Sequence, residues 1–411
     1  MARPKIRSKV KEVYQWKEYL QHHSMQIALV CSVVGMLWLH QGRCPDSSSQ
    51  ALSQQSTVQS SGTNAVSHGA SIDTSKLHDE CFRIPNMRPS GVFFADTQNK
   101  YHDLPSIEGV EPAFRVGTYF QKGNMHMGGD LAHFQLIGEE INKLENVRQY
   151  NENTSRRTSN DTIMSLDIGA NQGFYTFFLA ALGLQVHAFE IDQTNFQALQ
   201  QGTLYNTKEV ADRVYLYPVG LSDTVGRMGS KGSQYEGFLQ KDNAGPILSS
   251  TLDCFAYHSN LLQRLLPSPN NDGKRLFLPF VKIDVEGFEI SVLKGVHNSL
   301  YHPFVTIGSL LVEVGPKRWS RASVQLQEGI EEMKLLASQF TSQFLILKGP
   351  SVGHAKSCPL SLADVLSGRS KKPERELHGV QLHRITDSED WVTLLTAMEK
   401  DSYDCNFWYT N

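Results

Sequence analysis

One stretch constrains the fold more than any other: Ile163 to Ile191, IMSLDIGANQGFYTFFLAALGLQVHAFEI. It begins with a short apolar run, Ile163 to Ile168, interrupted only by Ser165 and Asp167, which reads as a buried strand. Gly169 and Gly173 follow at a spacing suited to a tight turn into a helix. Phe174 to Leu184 is almost wholly apolar, so that helix is expected to lie buried against a sheet. A second strand, Val186 to Ile191, carries Glu190 near its end. Strand, glycine turn, helix, strand and an acid about twenty residues on make the nucleotide-binding half of a doubly wound α/β fold. The glycines let backbone approach a ligand with no Cβ in the way, and Glu190 can accept both hydroxyls of a ribose. The same glycines would equally serve a turn that only packs its helix.

The chain continues the alternation. Gln193 to Tyr205 reads as an amphipathic helix with Asn195 near its start, and Val214 to Val219 as a third strand. Gly220-Leu-Ser-Asp223 comes next; an Asp at that place can reach a bound nucleobase or simply form a turn with its serine. Gly226 to Gly245 is polar, glycine-rich and long enough for a lid. Leu278 to Val285 is a fourth strand, followed by a helix over Ile290 to Leu300 and a fifth strand, Ser309 to Val314, with Glu313 near its end. Val324 to Ala337 reads as a helix, and Phe344 to Leu347 and Asn406 to Tyr409 as further strands. Upstream, Leu131 to Leu144 has helical spacing and is expected to cover the edge of the core. His126 and His133 lie seven apart, but no acid at a helical offset completes a metal site, so they read as surface or packing residues.

A second motif, Lys282-Ile-Asp284-Val-Glu286-Gly-Phe-Glu289, packs three carboxylates at the carboxyl end of a central strand, where open α/β sheets bind ligands. Glu286 and Glu289 also suit a plain helix N-terminus. Asp284 ends an otherwise apolar strand, and an acid there is costly unless something pairs with it.

With these motifs on the page, the chain resembles the FkbM family of S-adenosylmethionine-dependent methyltransferases. The resemblance rests on LDIGANQGFYT, HAFEID, PVGLSD, TLD at Thr251 to Asp253, VKIDVEGFEISVLKG and LLVEV, in family order over roughly Thr162 to Gly315. It implies the seven-stranded, Rossmann-like α/β sheet of class I methyltransferases and O-methyl transfer, often onto a sugar or polyketide hydroxyl. By position, the resemblance puts Asp167, Gly169, Asn171 and Gly173 at the methionine end of the cofactor, Glu190 on its ribose and Asp223 on the adenine side. Asp284 and Glu286 would face the methyl-transfer centre. A hydroxyl acceptor loses a proton as it attacks, so Asp284 is a candidate base. Alternatively Asp284, Glu286 and Glu313 hold a divalent cation that lowers the acceptor's pKa. Two other readings stay open. A nicotinamide-dependent oxidoreductase would show G-x-G-x-x-G, whereas Ala170 and Gln172 flank Asn171 here. A tethered binding module without turnover would not need Asp167, Gly169, Gly173 and Glu190 intact.

Charge matters chiefly for what it excludes. The 39 Lys and Arg against 42 Asp and Glu argue against a phosphate-backbone binder, so no nucleic acid is expected as partner. No CxxC pair offers a structural zinc site. Residues 1–24 form a basic tail, and Met25 to His40 is apolar without a formal charge. As a helix that segment spans roughly 24 Å, short of a typical ~30 Å hydrocarbon core. The long basic leader and the lack of an A-x-A-like site favour an uncleaved signal anchor over a signal peptide. Residues 41–80, rich in Ser, Gln, Thr and Gly, are expected to be a flexible stalk. The remainder divides into a cap region (81–161), a methyltransferase-like core (162–340) and a segment completing the sheet (341–411). Basic residues before the span predict a type II membrane protein with its catalytic domain in the lumen of the Golgi or endoplasmic reticulum. Sequons at Asn153 and Asn160 fit that side, and an oxidising lumen would permit up to two disulfides among the five cysteines beyond the anchor.

Overall fold

Apolar runs punctuated by glycine turns build a mixed sheet of nine strands among the described residues. The structure is a computed structural model that describes residues 81–84, 86–87, 102–104, 111–118, 130–143, 164–233, 236–240, 245–259, 276–296, 299–301, 305–349 and 358–411. The basic tail, the apolar segment, the stalk, both sequons and His126 lie outside them. Among the described residues no helix is long and apolar enough to cross a membrane.

In chain order, β1 (His102–Leu104) and β2 (Val116–Thr118) form a small antiparallel ribbon, followed by α1 (Asp130–Lys143). The first half of the main sheet is β3 (Met164–Ile168), α2 (Phe174–Ala181), β4 (Gln185–Phe189), α3 (Gln193–Tyr205), α4 (Lys208–Ala211) and β5 (Val214–Tyr217). Next come β6 (Gly220–Leu221), β7 (Gly226–Ser233), β8 (Glu236–Gln240), β9 (Ile247–Ser250) and α5 (Leu252–His258). The second half runs β10 (Leu276–Ile283), α6 (Glu289–Lys294), β11 (Val305–Val314), α7 (Leu326–Ala337) and β12 (Ser342–Lys348). It ends with β13 (Arg375–Leu377), β14 (Val380–Arg384), α8 (Ser388–Asp401) and β15 (Cys405–Thr410).

The sheet order is β13-β14-β12-β15-β11-β10-β3-β4-β5. The strands from β11 through β10, β3 and β4 to β5 are parallel, and β15 is antiparallel to both of its neighbours, β11 and β12. Successive connections run one way from β3 to β5 and the other way from β10 to β11. The order therefore reverses between β3 and β10, the switch point at which such sheets leave a crevice. Both faces are covered, as the unbroken burial of β3 requires. Phe177 and Phe178 of α2 pack on one side, and Ile290 and Leu293 of α6 with Met333 of α7 on the other.

Four expectations need correction. The resemblance implies seven strands; β14 and β13 extend the sheet beyond β12, and Arg375 of β13 is tied to Glu139 of α1 at 2.6 and 2.7 Å. Residues 226–233 and 236–240 are strands rather than the irregular loop expected there. They carry the hairpin β7–β8, with Gly229 opposite Gln240, and β7 also pairs with β9. Polar and glycine residues there obscured the alternation that marks a strand. The helix expected over Ile290 to Leu300 ends at Lys294, where a side chain at Gly295 would overlap the Ser222 carbonyl. The helix expected to reach Leu184 stops at Ala181, ahead of Gly183 at φ +99°.

Disulfides join Cys81 to Cys254 and Cys358 to Cys405, closing loops of 173 and 47 residues. In the chain-entropy account, loops of such length contribute about 4–5 kcal/mol by restricting the unfolded chain.

Candidate functional site

Everything at the switch point follows from how β3 ends. Gly169 sits at φ +80°, and the N–H groups of Gly169 and Ala170 both donate to Phe189 O, at 3.0 and 2.9 Å. The end of β10 lies against this turn: Asp284 N donates to Ile168 O at 2.9 Å, and a Cβ at Gly169 would overlap the Asp284 carbonyl oxygen. Gly169 therefore brings Asp284 in. Gly173, at φ +95°, serves helix packing, because a Cβ there would come within 2.6 Å of Phe177 and Leu199 side chains. Of the two uses weighed for these glycines, Gly169 lines the crevice and Gly173 does not.

A cavity opens beyond the strand ends. Ile168, Gly169 and Asn171 form one wall, residues 189–191 with Asn195 a second, residues 219–221 a third, and residues 284–286 the fourth. Glu190 lies one residue past β4 and is buried. Its Oε2 accepts the Asn171 N–H at 2.7 Å, with Asn171 at φ +51°, and its Oε1 accepts the Asp192 N–H at 2.7 Å. Burial pushes its carboxyl up to about 7, against the pull of the Asp192 and Asn171 N–H groups. Asp192 in turn caps α3, accepting from Thr194 and Asn195 N–H at 2.9 Å each.

Asp167 is fully buried and not on the cavity wall. It accepts Thr176 Oγ1–H at 2.5 Å and faces Lys282 Nζ at 3.8 Å. Burial raises its pKa, and Lys282 opposes the shift. Lys282 Nζ also meets Asp284 Oδ2 at 3.1 Å, donates to Gly169 O at 3.1 Å, and lies 5.0 Å from the Tyr175 ring centre. Burial alone would lower its pKa; Asp284 and Asp167 more than reverse that. Tyr175 OH is 2.9 Å from His133 Nδ1, and His133 is buried in the packing of its helix. Asp223 follows β6 but is not among the residues lining the cavity, and residues 219–221 occupy that side.

The fourth wall continues into an ion cluster. Glu286, at φ +55°, is paired with Arg318, which stands on the 3₁₀ turn Pro316–Ala322 after β11. Arg318 Nη2 also reaches Glu313 Oε1 and Asp404 Oδ1, both at 2.9 Å. Arg321 Nη1 donates to the Glu286 carbonyl at 2.8 Å. Burial, with Asp284 adding to it, raises Glu313, while Arg318 pulls it back. Glu289 is buried behind the turn, its Oε1 accepting Gly287 N–H at 2.7 Å, and burial pushes it up to about 7. Sequence reasoning gave no role to Lys282, Arg318, Arg321 or Asp404. The only available signal was indirect, namely that so many acids at the ends of two buried strands require cations.

The raised carboxyls give stability a pH slope. Glu190 and Glu289 bind their protons more tightly folded than unfolded, where 4.5 is usual. Their contribution is fully present below about 4.5 and is lost as pH rises through about 7. Each such shift corresponds to roughly 3 kcal/mol. Denaturant titrations at pH 5.5 and 8.5 should show the protein less stable at the higher pH, and Glu289→Gln should flatten the slope. An equal slope in Glu289→Gln would contradict this assignment.

No family model matches the chain, and no curated protein does. Among solved structures, it is similar to the N-terminal domain of human METTL16 in complex with SAH, at 14% identity and a TM-score of 0.25. That match covers 52% of this chain and 66% of that one. A SAM-dependent methyltransferase from Agrobacterium tumefaciens is 9% identical over 77% of this chain and 72% of its own, with a TM-score of 0.32. StiE O-MT residues 942–1257 are 12% identical over 66% and 77%, with a TM-score of 0.27. Superpositions this loose assign the chain no activity.

Proposed function

We propose that this chain is an S-adenosylmethionine-dependent methyltransferase of the FkbM kind, acting on a hydroxyl of a glycan or small molecule. The observation that carries this reading is one cavity at the switch point that holds Glu190 on one wall and Asp284 on another. Backbone N–H groups of Asn171 and Asp192 hold the two Glu190 oxygens at the cavity wall, where they would meet the two ribose hydroxyls. Gly169 and Asn171 would lie along the methionine end. S-adenosylmethionine, when bound, supplies a methyl group already activated on a sulfonium, so placing the acceptor oxygen in line is most of the task. Asp284, fixed by Lys282, would accept the hydroxyl's proton. Two disulfides suit an oxidising compartment, which agrees with the luminal placement expected from the N-terminal sequence.

Glu190→Ala tests the cofactor site. Calorimetry with S-adenosylhomocysteine on the full chain should show affinity lower by about 1.5–3 kcal/mol, the range for hydrogen bonds to a charged group. Unchanged affinity would remove Glu190 from the ribose site. Binding of NAD in place of S-adenosylhomocysteine would turn the assignment toward an oxidoreductase.

A further inference from the structure

Asp284, Glu286 and Glu313 each offer an oxygen within 4.8 Å of the others, the spacing of ligands around one divalent cation. The position of charge between two of them is already filled. Arg318 pairs with Glu286 through Nη1 and with Glu313 through Nη2, and the same Nη2 reaches Asp404. Lys282 takes the remaining acid, Asp284. A guanidinium is planar, permanently charged and forked, so it bridges several carboxylates in one fixed geometry. Carboxylates converging in a half-buried corner need a counter-charge there, since leaving them unpaired is costly.

The turn that carries Arg318 is also fixed. Its neighbour Trp319 is fully buried, and a side chain at Gly329 of α7 would overlap the indole. Arg321 holds the Glu286 carbonyl, so both the backbone and the side chain of Glu286 are set by arginines of one turn. A metal entering here would have to displace a cation from a locked support.

We propose that Arg318 on Glu286 and Glu313, with Lys282 on Asp284, supplies the resident positive charge of the Asp284–Glu286–Glu313 triad, so that this end of the site works without a divalent metal. The proposal deepens the methyltransferase reading and rests on it for what the site does. Arg318 is a positioning residue: it sets Glu286 and Glu313 and is not among the residues lining the cavity.

The test is Mn²⁺ uptake by the full chain, read as loss of the free-ion paramagnetic resonance signal with no cofactor or acceptor present. The unmodified protein should take up no more Mn²⁺ than Glu313→Gln. Arg318→Met should gain stoichiometric uptake at about 10⁻⁴–10⁻³ M, the range of weak all-oxygen calcium sites. Adding Glu313→Gln to Arg318→Met should abolish that gain, and Arg318→Lys should show less of it. Uptake by the unmodified protein that Glu313→Gln removes would overturn the proposal, as would a folded Arg318→Met that gains none. Should Arg318→Met fail to fold, the comparison of unmodified protein with Glu313→Gln decides: equal uptake supports the proposal and greater uptake by the unmodified protein overturns it. None of these readings involves the cofactor, so their failure is distinguishable from failure of the Glu190→Ala experiment.

Discussion

Gly169→Ala is expected to destabilise the protein by roughly 3–5 kcal/mol and to spoil the cavity at the same time. Part of the effect is local: a left-handed backbone costs a residue with a Cβ about 1–2 kcal/mol, and Gly169 stands at φ +80°. The larger part is a collision with backbone, which cannot rotate away as a side chain would. The added methyl overlaps the Asp284 carbonyl oxygen, while Asp284 N is bonded to Ile168 O at 2.9 Å. Relief requires the ends of β3 and β10 to part, and losing a buried hydrogen bond adds about 1–3 kcal/mol. Denaturant midpoints measure the sum. A loss below about 1 kcal/mol would show that the two strand ends are not held as described.

Asp284→Asn is expected to lower turnover by roughly 10²–10⁴, the span for removing a general base, with S-adenosylhomocysteine affinity nearly intact. The substitution keeps shape and leaves an oxygen for Lys282 Nζ, now 3.1 Å from Oδ2. Methyl transfer from isotopically labelled S-adenosylmethionine into the acceptor pool, alongside calorimetry, separates the outcomes. Full turnover would assign Asp284 to structure. Loss of cofactor affinity in step with turnover would place it in binding instead.

The sequence was most informative where local pattern and burial coincide. The helix over Gln193 to Tyr205 was legible residue for residue, because Asp192 caps it and its apolar positions repeat at helical period. Strands β3, β4, β10 and β11 were legible because parallel strands buried on both faces read as near-continuous apolar runs. The hairpin β7–β8 was not, since glycine and polar residues carry no period. At the site, Gly169, Asn171, Glu190, Asp284 and Glu286 were named in advance and line one cavity. Asp167, Gly173 and Asp223 stand off its wall, the first two for packing and pairing reasons that a motif cannot distinguish from ligand contact. Arg318 was invisible because its partners come from three separate places in the chain, and such convergence is a property of topology.

The placement of β15 sets the order in which a ribosome could complete this sheet. Residues 405–410 lie between residues 305–314 and 342–348, which leave the exit tunnel much earlier. Until the later strand emerges, β11 and β12 each present a row of unpaired backbone groups, the template that recruits other chains. Cys358 has no Cys405 to join, and Arg318 no Asp404. The parallel half can assemble as it is made, whereas the other half must wait for a long-range insertion, an intrinsically slow step. Nascent chains are thus most exposed to mispairing, and most in need of a chaperone's cover, between synthesis of β12 and arrival of β15.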